Sequence, residues 1–150
     1  MIASVLIIGV STVLFFYWFR YTCELILSAR SSASYAIGVS EANGLNWSTV
    51  AASLDQAPAV ALNDLSECLR SDYMKLDSIL SRAGAAEADQ VAFERGMMRG
   101  YFCWASAMFT VLRLCSDRAA RQSLATMARV VEHQANLIGE RSQSAEMSLS

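Results

Sequence analysis

The chain has 150 residues, of which 54% are hydrophobic and 17% are charged, and its formal net charge is −2. This length suits a single domain with one modest core, and the high apolar fraction excludes wholesale disorder. The near-neutral charge excludes a dedicated nucleic-acid binder, which would carry a strong basic excess. One proline and seven glycines leave few chain breaks. We therefore expect an all-α fold rather than a β-sandwich with its many turns.

The N-terminal region predicts a membrane-spanning helix. Residues 2–19 carry no charge, and eleven of these eighteen residues are Leu, Ile, Val or Phe. Such a helix is about 27 Å long, close to the thickness of the bilayer hydrocarbon. Its apolar residues favour insertion by about 3 to 7 kcal/mol. We expect an anchor over residues 2–22 that continues as a helix to about residue 36. The expected membrane-interface residues form an aromatic belt beside a snorkelling cation: Tyr17, Trp18, Arg20 and Tyr21.

A cleaved secretory signal is the alternative interpretation of this segment. No basic residue precedes the apolar run, and bulky residues follow it where a small-residue cleavage site would stand. We therefore favour a retained single-pass anchor. Arg20 and Arg30 follow the span, so the positive-inside rule places the N-terminus outside and the rest of the chain in the cytoplasm. The four cysteines are widely spaced, as reduced structural thiols are: Cys23, Cys68, Cys103 and Cys115.

The rest of the chain predicts a bundle of about three long antiparallel helices over residues 58–141. Residues 37–57 are expected to form a loop and one short helix, with Asn46 as its cap. Pro58 suits the first turn of the first long helix, with Asp55 as a plausible cap, and Gly84 ends that helix. Its apolar seam is spaced by 3, 4, 3, 4 and 3 residues, with one acid inside it: Leu62, Leu65, Leu69, Asp72, Leu76 and Ile79.

Two further long helices follow. We expect the middle one over residues 86–115 and the last one from Asp117 to about Arg141, with a disordered tail over residues 142–150. The last helix also carries a regular seam, at Leu124, Met127, Val131, Gln134 and Ile138.

The middle helix is apolar on all sides. Residues 101–112 carry no charge, so this segment is either a second membrane span or the buried centre of the bundle. The thirteen residues between Arg99 and Arg113 cover about 20 Å, which is shorter than the bilayer core. We therefore favour the buried centre.

The same helix carries two distinct faces. Small residues recur on one face at Ala92, Gly96, Gly100, Cys103 and Ala107, and bulky residues recur beside them at Met97, Tyr101, Trp104, Met108 and Val111. Two glycines inside a helix cost roughly 1 kcal/mol each relative to alanine, so they need a compensating reason. We favour close packing of the small face against the leucine seam of residues 62–80. The alternative is a pocket or partner groove lined by methionines and aromatic residues.

The position of Asp72 in its helix has two interpretations, one buried and one at the edge of the seam. Inside the seam it is a candidate buried polar residue that pairs with Arg99 or Arg113. A slight rotation of the helix would instead turn Tyr73 inward and leave Asp72 at the edge, which we favour because charged residues are seldom fully buried.

No residue pattern predicts catalysis, a metal site or a cofactor. The only histidine, His133, lies among polar residues and is expected on a solvated face. We expect a membrane-anchored, non-catalytic scaffold, adaptor or accessory subunit. Its expected partners are the lipid bilayer and another protein or a second copy, and no nucleic acid. The alternatives are a lipid or small-molecule binder that uses the Met and aromatic face of helix 86–115, and a two-span subunit of a larger membrane complex.

Overall fold

The computed structural model describes residues 1–29, 35–54, 56, 58, 61–83 and 89–149. All regular structure in these ranges is helical, which confirms the predicted fold class. The chain divides into two compact units, residues 1–31 and residues 32–150. The helices are α1 (Ile2–Ala29), α2 (Ala36–Asn43), α3 (Trp47–Ser53), α4 (Leu62–Ala83), α5 (Asp89–Leu112) and α6 (Asp117–Leu149).

Helix α1 is long and apolar enough to cross a membrane. It has 28 residues and is therefore about 42 Å long, and the mean hydropathy of its candidate span is 2.2. The side chains of residues 2–18 are all exposed. The hydroxyl groups of Thr12 and Thr22 donate to the carbonyl oxygens of Ile8 and Trp18, at 2.7 and 2.9 Å. The helix thus satisfies these polar groups by itself, as a lipid-facing helix must.

The second unit is built around α6. This helix contacts α2, α3, α4 and α5, and Arg129 is its only exposed residue between Met127 and Gly139. An amphipathic surface helix buries one face only, so burial around nearly the whole circumference makes α6 the central helix. The predicted seam of α6 is buried at Leu124, Met127, Val131 and Gln134 and half-buried at Ile138.

Helices α4 and α5 lie side by side and antiparallel against α6. The guanidinium group of Arg95 donates to the carbonyl oxygen of Leu80 at 3.2 Å, and Arg113 donates to the side chain of Asn63. These two contacts join opposite ends of the helices. The apolar faces that meet α6 contain buried Leu62, Leu69, Tyr73, Leu76 and Leu80 from α4, and Met98, Tyr101, Phe102, Ala105 and Phe109 from α5.

The prediction of a bundle of three long helices is imprecise, because α2 and α3 also pack against α6. The region predicted as a loop with one short helix contains two. Helix α1 is described as far as Ala29, and α2 begins at Ala36. Residues 30–34, over which α1 was predicted to continue, lie outside the described residues. The predicted cap Asp55 and the predicted stop Gly84 also lie outside them.

The C-terminal segment differs from the prediction. Helix α6 continues to Leu149, so residues 142–149 are helical rather than disordered. This segment contains strong helix formers such as Gln, Ala, Glu and Met, and they extend a helix that packing has already nucleated.

Helix α2 begins on the surface of α6. The backbone N–H of Ala36 donates to Oδ1 of Asn136 at 2.8 Å, whereas the N-cap residue Tyr35 makes no capping bond with its own side chain. A side chain from α6 therefore satisfies one of the free N–H groups at the start of α2. Tyr35 also lies so close to Gly139 that a Cβ atom at residue 139 would stand 2.3 Å from the Cβ of Tyr35. Only glycine fits at that crossing.

Helix α3 is held at both ends by charged side chains. Oδ2 of Asp72 accepts a hydrogen bond of 2.7 Å from the backbone N–H of Asn46, which stands at the N-cap. At the other end, the guanidinium group of Arg121 donates to the carbonyl oxygen of Leu54. An acid at the start of a helix and a cation at its end both complement the helix dipole. The side chain of Asn46 makes no capping bond, in contrast to its predicted role.

Asp72 is 1% exposed and Tyr73 is 6% exposed, so the favoured interpretation, with Asp72 at the edge, is wrong. Its partner also differs from the predicted arginine. The carboxylate binds a backbone N–H that lies 26 residues earlier in the chain, and Nζ of Lys75 lies 3.9 Å from its Oδ1. A hydrogen bond to a carboxylate is worth about 1.5–3 kcal/mol, which helps to offset its burial.

We expect the substitution Gly139→Ala to lower the free energy of unfolding by about 1–3 kcal/mol, because the new methyl group would collide with Tyr35. Gly38→Ala in α2 is the matched control, since nothing lies within 4 Å of a Cβ there. It should leave stability unchanged or raise it by up to about 1 kcal/mol through helix propensity. Chemical unfolding of the full chain in mild detergent, followed by circular dichroism, measures both. Equal effects of the two substitutions would contradict the close crossing.

We expect Asp72→Ala to destabilise the protein by about 1–3 kcal/mol, because the N–H of Asn46 loses its acceptor. The control is Glu67→Ala, which removes an exposed acid from the same helix and should change stability by less than about 0.5 kcal/mol. The same unfolding experiment compares them. If both variants unfold at the same denaturant concentration, the contact between Asp72 and α3 does not stabilise the fold.

Candidate functional site

The four predicted membrane-interface residues are grouped on α1. Tyr17, Trp18 and Tyr21 are 65%, 58% and 49% exposed, and Arg20 is also exposed. The rings of Trp18 and Tyr21 meet edge to face, with centroids 6.0 Å apart. All four residues lie within about 6 Å along the helix axis. This depth matches the layer in which aromatic rings and cations meet lipid head groups.

The small face of α5 is exposed, in contrast to the favoured expectation of close packing. Ala92, Gly96, Gly100, Cys103 and Ala107 are all exposed, and nothing lies within 4 Å of a Cβ built on Gly96. The reason is the orientation of α5, which turns its opposite face, with Met98, Ala105 and Phe109, toward the core. The leucine seam of α4 packs against α6 instead.

The bulky face of α5 is divided between the core and the surface. Tyr101 is buried, Met97, Trp104 and Met108 are half-buried, and Val111 is exposed. The rings of Tyr101 and Trp104 stack with centroids 5.7 Å apart and an interplanar angle of 7°. These residues therefore contribute mainly to packing beside α6.

A groove lies between α4 and α5, and we call it the α4/α5 groove. Its volume is about 640 Å³, within the range of small-molecule sites. Tyr73 and Phe102 stack across it, with ring centroids 4.0 Å apart and an interplanar angle of 12°. The lining residues include two arginines, one acid and several small or hydroxyl side chains: Arg70, Tyr73, Met74, Asp77, Ser78 and Ser81 from α4, and Arg99, Phe102, Cys103, Ser106, Ala107 and Thr110 from α5. Sequence analysis did not find this groove, because its walls belong to two helices whose relative orientation no sequence pattern reveals.

Tyr73 is the buried polar residue of this groove. The pKa of its hydroxyl is raised to about 12, and burial is the main cause. The Gln134 amide and Arg99 lower the pKa, whereas Asp77 and Cys103 raise it. The Gln134 amide lies near the hydroxyl, but neither group makes a hydrogen bond of good geometry. Leaving a buried polar group unpaired costs about 1–3 kcal/mol.

His133 is buried rather than solvated, which corrects the sequence-based expectation. Its Nε2 lies 3.3 Å from Oε1 of Glu94 on α5, and its side chain is 4% exposed. The apolar spacing of the sequence indicates this burial, because His133 lies three residues after Val130 and four before Leu137 on the same face of α6. Both of these residues are buried. The polar residues beside it in sequence obscured that pattern.

Within the part of the chain that the structure describes, no group of three His, Cys, Asp or Glu side chains is arranged to hold a metal ion. The cysteines are free thiols, with Cys23 buried and Cys68, Cys103 and Cys115 exposed. No protein-family model, curated protein or solved structure matches the chain.

Proposed function

We propose that this protein is a membrane-anchored, non-catalytic adaptor or accessory subunit that binds a helical segment of a partner protein. Helix α1 anchors it in a single pass, with the N-terminus outside and the helical bundle in the cytoplasm. The outward face of α5 binds the partner. The single observation that carries the proposal is the exposure of that face.

Between Ala92 and Leu112, Arg99 is the one exposed charged residue of α5, whereas a surface helix normally carries charged residues along its whole outward face. Small side chains follow one another on this face at spacings of 4, 3, 4 and 3 residues, at Gly96, Gly100, Cys103, Ala107 and Thr110, and all five are exposed. Phe93, Val111 and Leu114 add large exposed apolar side chains on and beside this line, at 69%, 58% and 87% exposure. Contiguous exposed apolar surface marks interaction sites in folded proteins.

The spacing indicates the kind of partner. A line of residues at alternating 3 and 4 spacing is the seam along which two helices pack. Small side chains on such a seam let the two backbones approach closely. A helix of another subunit therefore fits this face better than a loop or a strand edge.

The anchor and its orientation rest on the sequence and on the apolar surface of α1. The charge-free run, the aromatic belt and the two arginines that follow support a retained span with its C-terminal side in the cytoplasm. In the described part of the chain, α1 is the one helix that is long and apolar enough to cross a membrane. This supports one span rather than two.

We expect the full chain to stay in the membrane pellet after carbonate washing, at the mass of the uncleaved protein, because apolar burial holds it there. Variants that retain only Cys68 or only Cys115 report the topology, since both thiols are exposed and one lies before α5 and the other after it. Both should resist a membrane-impermeant thiol reagent in intact cells and react after lysis. Labelling of both in intact cells would reverse the orientation, and labelling of one alone would mean that α5 crosses the membrane. Release of a shortened chain would identify α1 as a signal sequence.

We expect Gly96→Leu to abolish stoichiometric co-purification of a partner protein in mild detergent while leaving the free energy of unfolding unchanged or slightly higher. Open space surrounds Gly96, and leucine is a better helix former than glycine. Ser71→Leu on α4 is the matched control, because it adds the same side chain at an exposed position away from α5. Co-purification that survives Gly96→Leu, or that Ser71→Leu abolishes equally, would contradict binding at this face.

A further inference from the structure

The floor of the α4/α5 groove is formed by two stacked rings. Tyr73 and Phe102 are 6% and 4% exposed, and both line the groove. The Tyr73 hydroxyl is buried and lies near the Gln134 amide of α6, which does not line the groove. The groove therefore presents the ring of Tyr73, and not its hydroxyl, to a molecule that occupies it.

Two guanidinium groups flank the Tyr73–Phe102 stack. Arg70 lies one turn before Tyr73 on α4, and Arg99 lies one turn before Phe102 on α5. Because the helices are antiparallel, the two arginines stand on opposite sides of the stack, with their backbones about 9 Å apart along the groove. Both are exposed, and neither forms an ion pair with a described residue. Asp77 lies on the Arg99 side, so the charged lining residues sum to one positive charge.

The middle of the groove is apolar. Phe102 and the ring of Tyr73 form its floor, and Met74, which is 65% exposed, stands at its edge. The small side chains of Cys103 and Ala107 on the opposite wall leave the space open. An occupant that combines an apolar part with a charged end suits this lining, and the two arginines favour a negative charge at that end.

We propose that the α4/α5 groove binds a small anionic amphiphile, whose carboxylate or phosphate group is held by Arg99 and whose apolar part lies against Met74, Phe102 and Ala107. Arg70 increases the positive potential at the other end of the groove. The single net positive charge favours a singly charged head group. The groove shares Cys103, Ala107 and Thr110 with the partner-binding face, whereas Gly96 and Phe93 lie outside it.

Cys103 supplies the measurement, because it is an exposed thiol inside the groove, while Cys68 and Cys115 are exposed thiols outside it. The purified full chain in phosphatidylcholine nanodiscs is treated with iodoacetamide, and the alkylation of each cysteine is followed by mass spectrometry. Octanoate at ten times its Kd should slow alkylation of Cys103 by about tenfold through occupancy. The rates at Cys68 and Cys115 should not change. Octanol, the neutral counterpart, should protect Cys103 much less.

Variants test the charged contact. Arg99→Gln should raise the half-protecting concentration of octanoate by about tenfold or more, because it removes a charge-assisted hydrogen bond. Tyr73→Phe should leave that concentration unchanged, since the hydroxyl is buried beside Gln134 and does not face the groove. Arg82→Gln is the matched control, because Arg82 is an exposed arginine of α4 that does not line the groove.

The source of the anion is identified by two further arms. Octyl phosphate in phosphatidylcholine discs tests a free phosphate amphiphile, and discs that contain phosphatidylglycerol without any added amphiphile test a membrane lipid. Selective protection of Cys103 in either arm supports the site and assigns the source. The proposal is overturned if no anion protects Cys103, if octanol protects it as well as octanoate does, or if Arg99→Gln behaves as Arg82→Gln does. Because alkylation is measured on the purified chain without a partner protein, failure of this site is distinguished from failure of partner binding.

Discussion

The burial of α6 along its middle third is the constraint on which the rest of the bundle depends. Between Met127 and Gly139 only Arg129 is exposed, so the neighbouring helices must together cover nearly the whole circumference. No single neighbour can do so, because each helix offers one apolar face. Helices α4 and α5 cover α6 from adjacent sides, and α2 and α3 cover what remains. Two short helices are thus as necessary to the core as the two long ones.

Polar side chains set the positions of those short helices. Apolar packing alone has little directional preference, whereas the hydrogen bond from Ala36 to Asn136 and the one from Asn46 to Asp72 each join one particular donor to one acceptor. Each bond satisfies a backbone group at or beside a helix start. In both cases a long helix supplies a hydrogen-bond acceptor, whereas the side chain of the short helix's own N-cap residue makes no capping bond.

Helix α5 combines two roles because it covers α6 with one face only. Its outward face keeps the small residues Gly96 and Gly100 open to solvent, and its side toward α4 forms one wall of the α4/α5 groove. Cys103 and Ala107 belong to both surfaces. In the two proposals, the same small side chains permit close approach of a partner helix on the outside and leave space for a ligand in the groove.

The sequence by itself determined the helical class, the apolar span of α1 and the positions that face the core. Leu62, Leu69 and Leu76 of α4 and Leu124, Met127 and Val131 of α6 were identified by spacing, and all of them are buried. Periodicity reveals such faces because the helical repeat is a property of the local chain. Periodicity also identified the small residues of α5 as one face. We expected that face to pack against α4, whereas it is exposed.

Only the tertiary structure decided which faces meet. The partner of Asp72 is a backbone N–H 26 residues away, and His133 meets Glu94 across 39 residues. No local pattern encodes such pairs, because they depend on how three helices are oriented at once. The small face of α5 points outward for the same reason. Spacing shows that a face is distinct, but whether it is buried, exposed or part of a groove depends on the neighbours that the folded chain places beside it.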